Sequence, residues 1–155
     1  MNIDFSAIEN NFKVSADQKS SFSTEGMVST QSSYASDVGA SILKCGGNAI
    51  DSAVAAALTL CVTEPQASGL GGQTMLLINQ NSSVIAIDGS SRAPSLAHFS
   101  SIYKNDRSIG YRASTVPSTP ATLWYIHNRY GKLPWQQVID PAISIAKDGF
   151  QITAL

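Results

Sequence analysis

Charge is scarce in this chain. Asp, Glu, Lys and Arg make up 14% of its 155 residues, against roughly a quarter in an ordinary soluble domain. The 10 Lys and Arg are balanced by 11 Asp and Glu, and the cations are scattered rather than gathered on one stripe. That balance speaks against nucleic acid as a partner. The shortage of charge also implies surface that further chain or a partner is expected to cover. Cysteine is as sparse: Cys45 and Cys61 are the pair, with no Cys-x-x-Cys and no His or Cys at zinc spacing. Both fall in apolar helical contexts and are expected to be small buried hydrophobes, not metal ligands or a disulfide. Long apolar runs are missing too. The longest, Ala53 to Leu58, is far short of the roughly 20 residues that cross a bilayer, so no membrane association is expected. The opening MNIDFSAIENNFKVSADQKSS has no basic region followed by an apolar one. With no signal peptide visible, a cytoplasmic location is expected, with the periplasm or secretion left open if the native N-terminus has been altered.

What is present has clear periodicity. Residues 1–25 are polar and Ser-rich, and the rest, 26–155, reads as one domain. Tyr34, Val38, Ile42 and Leu43 form one apolar face and predict a helix from about Ser33 to Lys44. Gly46 and Gly47 stop it, because glycine accepts the left-handed conformation after a helix. Ala49 to about Thr63 is apolar nearly all round and predicts a helix buried on several sides, ended at Glu64-Pro65. Gln73–Asn79 and Ser83–Asp88 predict two strands joined as a hairpin through Gln80, Asn81 and Ser82. Their MLLI and VIAI cores predict packing on both faces. Irregular chain is expected from Ala97 to Val116. Thr119-Pro120 opens another helix, with Thr119 as N-cap and Pro120 at the first helical position, running to Gly131. Leu133-Pro134-Trp135 predicts a short turn, and Asp140-Pro141 a restarted helix that ends near Gly149. A two-stranded sheet is not stable alone, so the chain reads as part of a larger fold. There are no internal repeats.

Several motifs have ordinary explanations. Ser68-Gly69-Leu70-Gly71-Gly72 precedes a strand and lacks a following Lys, so it does not fit a phosphate cradle. It is expected to be a tight turn that lets another backbone approach. His127 lies on a helix between Ile126 and Tyr130 and is expected to be structural, whereas His98 is expected at the surface. Asn81-Ser82-Ser83 matches a glycosylation sequon, but reads as turn chemistry.

The stretch KCGGNAIDSAVAAALTLCVTEPQASGLGGQTMLLI, Lys44 to Ile78, resembles the early part of the γ-glutamyltranspeptidase family, whose members carry GGNA(I/V)DAAVAAA, then EP, then SGxGGG before a strand. The resemblance extends from Gly26 to Leu155. Tyr111 to Pro117 is similar to the family's G-x-x-A-x-x-VPG segment, with Ser118 in place of the last glycine. Ala121 to Trp124 and Tyr130 to Trp135 are similar to its AGLW and YGKLPW blocks, and Asp140-Pro141-Ala142-Ile143 and Asp148-Gly149-Phe150 follow in the same order.

The resemblance implies an α+β chain with the N-terminal-nucleophile hydrolase fold, a four-layer αββα sandwich, of which these residues are an incomplete N-terminal part of the large subunit. It implies an enzyme that cleaves γ-glutamyl amides such as glutathione and passes the acyl group to water or an amino acid. A Thr exposed by self-cleavage attacks, its own amine acts as base, and backbone amides stabilise the oxyanion. That Thr begins the small subunit, beyond Leu155, so no catalytic residue is expected here. No metal or organic cofactor is implied. The partners implied are the substrate, the remaining large-subunit chain and the small subunit, with homo-oligomerisation left open.

Arg92 and Ser90 are the candidate substrate-binding residues. In the family a strand ends in Arg-Glu-x-Ala-Pro, and its Arg pairs with the α-carboxylate of the γ-glutamyl group through a bidentate fork. Here the corresponding stretch is Asp88-Gly89-Ser90-Ser91-Arg92-Ala93-Pro94. Ser90 takes the Arg position and the arginine comes two residues later. A shift of two keeps the same face of an extended chain but moves the side chain about 6.6 Å along it. Arg92 therefore reaches the pocket mouth, serves a differently shaped donor, or forms a surface ion pair with Asp88. The first rival activity is a cephalosporin- or glutaryl-type acylase of the same fold. A rival of another class is an inactive scaffold or binding fragment.

Overall fold

In the computed structural model the described residues are 21–152, so residues 1–20 of the polar leading segment lie outside them. The chain divides into two compact units: residues up to Pro65 together with those from Ile126 onward, and Gln66–Tyr125.

The first unit is helical. α1, Ser33–Lys44, buries Ala35, Val38, Gly39 and Ile42, the face that the apolar spacing marks out. Its end is a paired glycine stop: Gly46 takes φ +86° and donates its N–H to Leu43 O at 3.0 Å, while Gly47 donates to Ile42 O at 3.0 Å. This is the Schellman arrangement that satisfies the last carbonyls of a helix. α2 follows at Ala49–Thr63 and buries Asp51, Ser52, Val54, Ala55, Ala56, Leu58 and Thr59, with Ala53 exposed. α1 and α2 approach closely where Ser52 Oγ donates to Gly39 O at 2.8 Å. Glu64 breaks α2 with φ −133° and ψ 52°, and one helical turn, α3, Pro65–Ser68, comes directly after it.

The last helix corrects an expectation. Instead of a turn at Leu133–Trp135 and a restart at Pro141, a continuous helix, Trp135–Asp148, carries Pro141 inside it. Pro134, with φ −57° and ψ 140°, is its N-cap, so the earlier proline provides the start signal. Pro141 removes one N–H from the ladder, and burial compensates: Val138, Pro141 and Ala142 are all buried, and this helix packs against α2. Tyr34 fixes its far end, stacking edge-on against Phe150 at 5.9 Å and accepting the Gln151 N–H at 3.1 Å.

The second unit is built on a hairpin. β1, Thr74–Gln80, pairs antiparallel with β2, Ser83–Gly89, in the register Thr74↔Gly89 to Gln80↔Ser83. The link is two residues rather than three. Asn81 and Ser82 have φ 51° and 64°, the left-handed pair that a type I′ hairpin turn needs, and Gln80 belongs to the strand. The expected packing is met on one face among the described residues. Ile78 is buried and Leu76, Ile85 and Ile87 half-buried, whereas Met75, Leu77 and Val84 on the opposite face are 63%, 77% and 68% exposed. Strand side chains alternate between faces, and among the described residues one face is covered.

Two 3-10 turns, Lys104–Arg107 and Tyr111–Ala113, interrupt the chain after the hairpin. α4, Thr119–Tyr130, begins in this unit. Thr119 is its first helical residue instead of its cap. The cysteine expectation fails at one position: Cys45 is exposed, and Cys61 is half-buried, where burial pushes its thiol pKa up. Cys45 follows the last residue of α1, at a place where the apolar face has ended. The helix Trp135–Asp148 is α5.

Candidate functional site

The glycine loop and the start of α4 create a platform at one end of the hairpin. Gly72 donates to Gly69 O at 3.1 Å, and its own carbonyl accepts the N–H groups of Ser118 at 3.0 Å and Thr119 at 3.3 Å. The loop therefore serves as the tight turn expected of it, and it satisfies otherwise orphaned amides at a helix N-terminus. Thr74 Oγ1 donates to Thr119 Oγ1 at 3.0 Å, and Ser118 Oγ donates to Gly89 O. At Gly89 a Cβ would collide with Thr74 O and the Thr122 side chain, so the end of β2 lies directly against α4.

From this platform the segment Asp88–Arg92 leaves as a strap in which Asp88, Ser90 and Arg92 are exposed, Ser91 half-buried and Gly89 buried. Asp88 Oδ1 accepts the Ser90 N–H at 3.0 Å and, in a shorter contact, the Ser90 hydroxyl. The hydroxyl, then the N–H, hold the Asp88 carboxyl below its ordinary pKa, because both favour the charged form. Ser91 donates its N–H to Gln73 Oε1 at 3.1 Å and its hydroxyl to the same oxygen at 3.4 Å. Arg92 and Val116 exchange backbone hydrogen bonds at 3.2 and 2.8 Å. Arg92 and Ser90 are both exposed. The surface ion pair weighed for Arg92 and Asp88 is not formed; Asp88 is engaged by Ser90 instead.

The second polar cluster is buried and lies wholly within the helical unit. Asn48 caps α2, accepting the N–H groups of Ile50 and Asp51 at 2.9 and 3.0 Å, while Asp51 Oδ2 accepts the Asn48 N–H at 2.9 Å. This is a reciprocal capping box. Asp51 is 0% exposed and also takes the N–H groups of Lys132, at 2.9 Å, and Leu133, at 3.2 Å. Asn48 Nδ2 donates to Tyr130 O at 2.7 Å. His127 Nε2 lies 3.0 Å from Leu133 O and 3.4 Å from Asp51 Oδ1, with Trp135 edge-on at 5.1 Å. A His–Asp pair invites a catalytic reading, but here backbone groups occupy both partners and both are buried. His127 is structural, as expected from its helix position, and His98 is exposed, as expected. Among the described residues no group of three or more His, Cys, Asp or Glu could hold a metal ion.

The sequence profile of the gamma-glutamyltranspeptidase family matches residues 35–155. The chain belongs to that family. It is 39% identical over 135 residues to glutathione hydrolase 3 of Arabidopsis thaliana, an alignment covering 84% of this chain and 21% of the relative. Against the crystal structure of Helicobacter pylori gamma-glutamyltranspeptidase the TM-score is 0.78 at 32% identity, covering 84% of this chain and 40% of that one. Against the cephalosporin acylase of Bacillus halodurans it is 0.73 at 30% identity, covering 90% and 29%. The chain thus spans about a fifth of the length of the plant relative. Its architecture is α+β with the N-terminal-nucleophile hydrolase fold of the gamma-glutamyltranspeptidases, of which the described residues hold helices and one hairpin.

Within this family frame the GGNAID block explains itself physically. Gly47 belongs to the stop of α1, Asn48 to the cap of α2, and Asp51 joins that cap to the YGKLPW block. Sequence reasoning left Asn48 and Asp51 unremarked, although Asn-x-x-Asp before an apolar run is a variant of the capping-box signal. Gln73 enters there only as the first residue of a predicted strand, and no local pattern marks it for the site.

Proposed function

We propose that the full-length protein cleaves γ-glutamyl amides, glutathione among them, and transfers the acyl group to water or to an amino acid. In this reading the attacking Thr lies outside these residues and belongs to a small subunit that completes the enzyme. The present residues contribute the donor side of the pocket. Arg92 pairs with the α-carboxylate of the γ-glutamyl group, a task suited to a planar guanidinium with parallel donors. Ser90 acts beside it, engaging Asp88 Oδ1 through its N–H and hydroxyl so that this carboxylate is held by Ser90 and not by Arg92.

The observation that carries the proposal is the Asp88–Arg92 strap. It stands at the chain position of the family's Arg-Glu-x-Ala-Pro motif, held by Gln73 and Val116, with Arg92 exposed. A second reading, an acylase for another side chain, draws on the replacement of the family's Arg by Ser90 and on the likeness to a cephalosporin acylase. Turnover of γ-glutamyl-p-nitroanilide against glutaryl-p-nitroanilide by the full-length protein separates the readings, since the two donors differ in the α-amino group. The proposal expects the γ-glutamyl donor to lead by at least about tenfold in kcat/KM, a difference of about 1.4 kcal/mol. Preference for the glutaryl donor favours the acylase, and turnover of neither overturns both in favour of an inert scaffold.

A further inference from the structure

We infer that Gln73 is a positioning residue for the donor site, fixing where the Arg92 side chain leaves the backbone; this rests on the reading of Arg92 as the carboxylate anchor. Gln73 immediately precedes β1 and lies 18 positions before Ser91, whose N–H and hydroxyl both donate to Gln73 Oε1 at 3.1 and 3.4 Å. The next residue, Arg92, is bonded in both directions to Val116. Successive N–H groups of an extended chain point to opposite edges. The strap is therefore gripped on one edge by the Gln73 amide and on the other by the Val116 backbone.

At its root the strap is held where Ser118 Oγ donates to Gly89 O, and Ser90 bonds locally to Asp88, two residues away. Among the described residues Gln73 supplies the side-chain grip on residues 90–92 from outside the strap. A bidentate arginine–carboxylate pair demands both distance and orientation, and a site whose support is loose by about 1 Å loses much of its value. The register shift makes that support more important here. Arg92 must act from a point about 6.6 Å from the usual one, so its starting position decides whether its fork meets the carboxylate. Gln73 does not touch the substrate. It acts through Ser91 on Arg92.

The test is a double-mutant cycle in the full-length protein, with kcat and KM for γ-glutamyl-p-nitroanilide measured for wild type, Gln73→Leu, Arg92→Ala and the double variant. Loss of the two exposed hydrogen bonds that Gln73 Oε1 accepts should raise KM about fivefold in Gln73→Leu, with kcat held within about twofold. Added to Arg92→Ala, the same substitution should change KM no further, because the group being positioned is gone. If Arg92→Ala raises KM and Gln73→Leu does not, the Gln73 role is overturned and the donor-site reading stands. A Gln73→Leu effect that falls on kcat, or persists in full without Arg92, marks a general structural role and also overturns it. If Arg92→Ala itself leaves KM unchanged, the donor-site reading fails and the Gln73 role fails with it.

Discussion

The buried carboxylate of Asp51 accepts the backbone N–H of Lys132, 81 residues further along the chain, at 2.9 Å. It also accepts the N–H groups of Leu133 and of Asn48, so one side chain caps α2 and pins the turn between α4 and α5. The negative charge stands at the N-terminus of α2, where the helix dipole favours it. Two sequence blocks that look like separate family marks, GGNAID and YGKLPW, are the two halves of one clamp.

Asp51→Ala leaves the part-buried hydrogen bonds of three N–H groups without their acceptor. At roughly 1–3 kcal/mol for each unsatisfied donor, partly relieved by relaxation and water, the expected loss is about 4 kcal/mol. Asp51→Asn keeps one acceptor oxygen but turns an amide N–H₂ towards donors, and should cost somewhat less. Urea unfolding of the full-length protein checks both. A midpoint unchanged in Asp51→Ala would show that the clamp does not stabilise the helical unit.

Gly89→Ala should be more harmful than its exposed neighbours suggest. The new methyl meets the Thr74 carbonyl and the Thr122 side chain, and Thr74 is the strand partner of Gly89, so neither backbone can yield without opening the hairpin. Overpacking of this kind costs about 1–3 kcal/mol. Thermal melting reads it, with Ser90→Ala, one residue on and exposed, as the control expected to melt within about 0.5 kcal/mol of wild type.

The hairpin turn offers a gain. Ser82 holds φ 64°, a region that is costly for a residue with a Cβ. Ser82→Gly gives the Asn-Gly pair that type I′ turns prefer and should stabilise the protein by about 0.5–1 kcal/mol, net of the added freedom of the unfolded chain. A lower melting temperature for this variant would contradict the turn assignment.

Asp88 gives the strap a pH dependence of defined sign. Its folded pKa is depressed, first by the Ser90 hydroxyl and then by the Ser90 N–H. The stabilisation it provides is thus complete above the unfolded value, near 3.9, and is lost as pH falls through the lower folded value. Ser90→Ala removes the larger cause and should move the Asp88 titration upward in a carboxyl-carbon NMR experiment. An unmoved titration would show that the hydroxyl does not hold the carboxylate.

Local chemistry made the helices legible. Gly46-Gly47 after an amphipathic face, and an Ala-rich run closed by Glu64, fix α1 and α2 within the chain itself. The failures share a cause in tertiary packing. Pro141 looked like a helix start because a proline at the first turn costs nothing, yet the burial of Val138 and Ala142 carries the helix through it. Cys45 looked buried because its neighbours are apolar, but it lies past the end of the buried face. The site was legible only in part: the strap could be found by its position, whereas its supports, Gln73 18 residues away and Val116 24 residues away, join it only after folding. Asp51 was hidden for the same reason, since its partners at Lys132 and Leu133 are distant in sequence.

The GGNAID block is scaffold, and in the proposed function recognition of the donor falls to the strap and Arg92. The most direct measurement is the KM for γ-glutamyl-p-nitroanilide of the full-length Arg92→Ala variant, taken beside its melting temperature. Loss of a charge-assisted bidentate contact, worth about 1.5–3 kcal/mol, predicts a KM raised roughly 10- to 100-fold with the melting temperature unchanged. A KM within twofold of wild type would contradict the account.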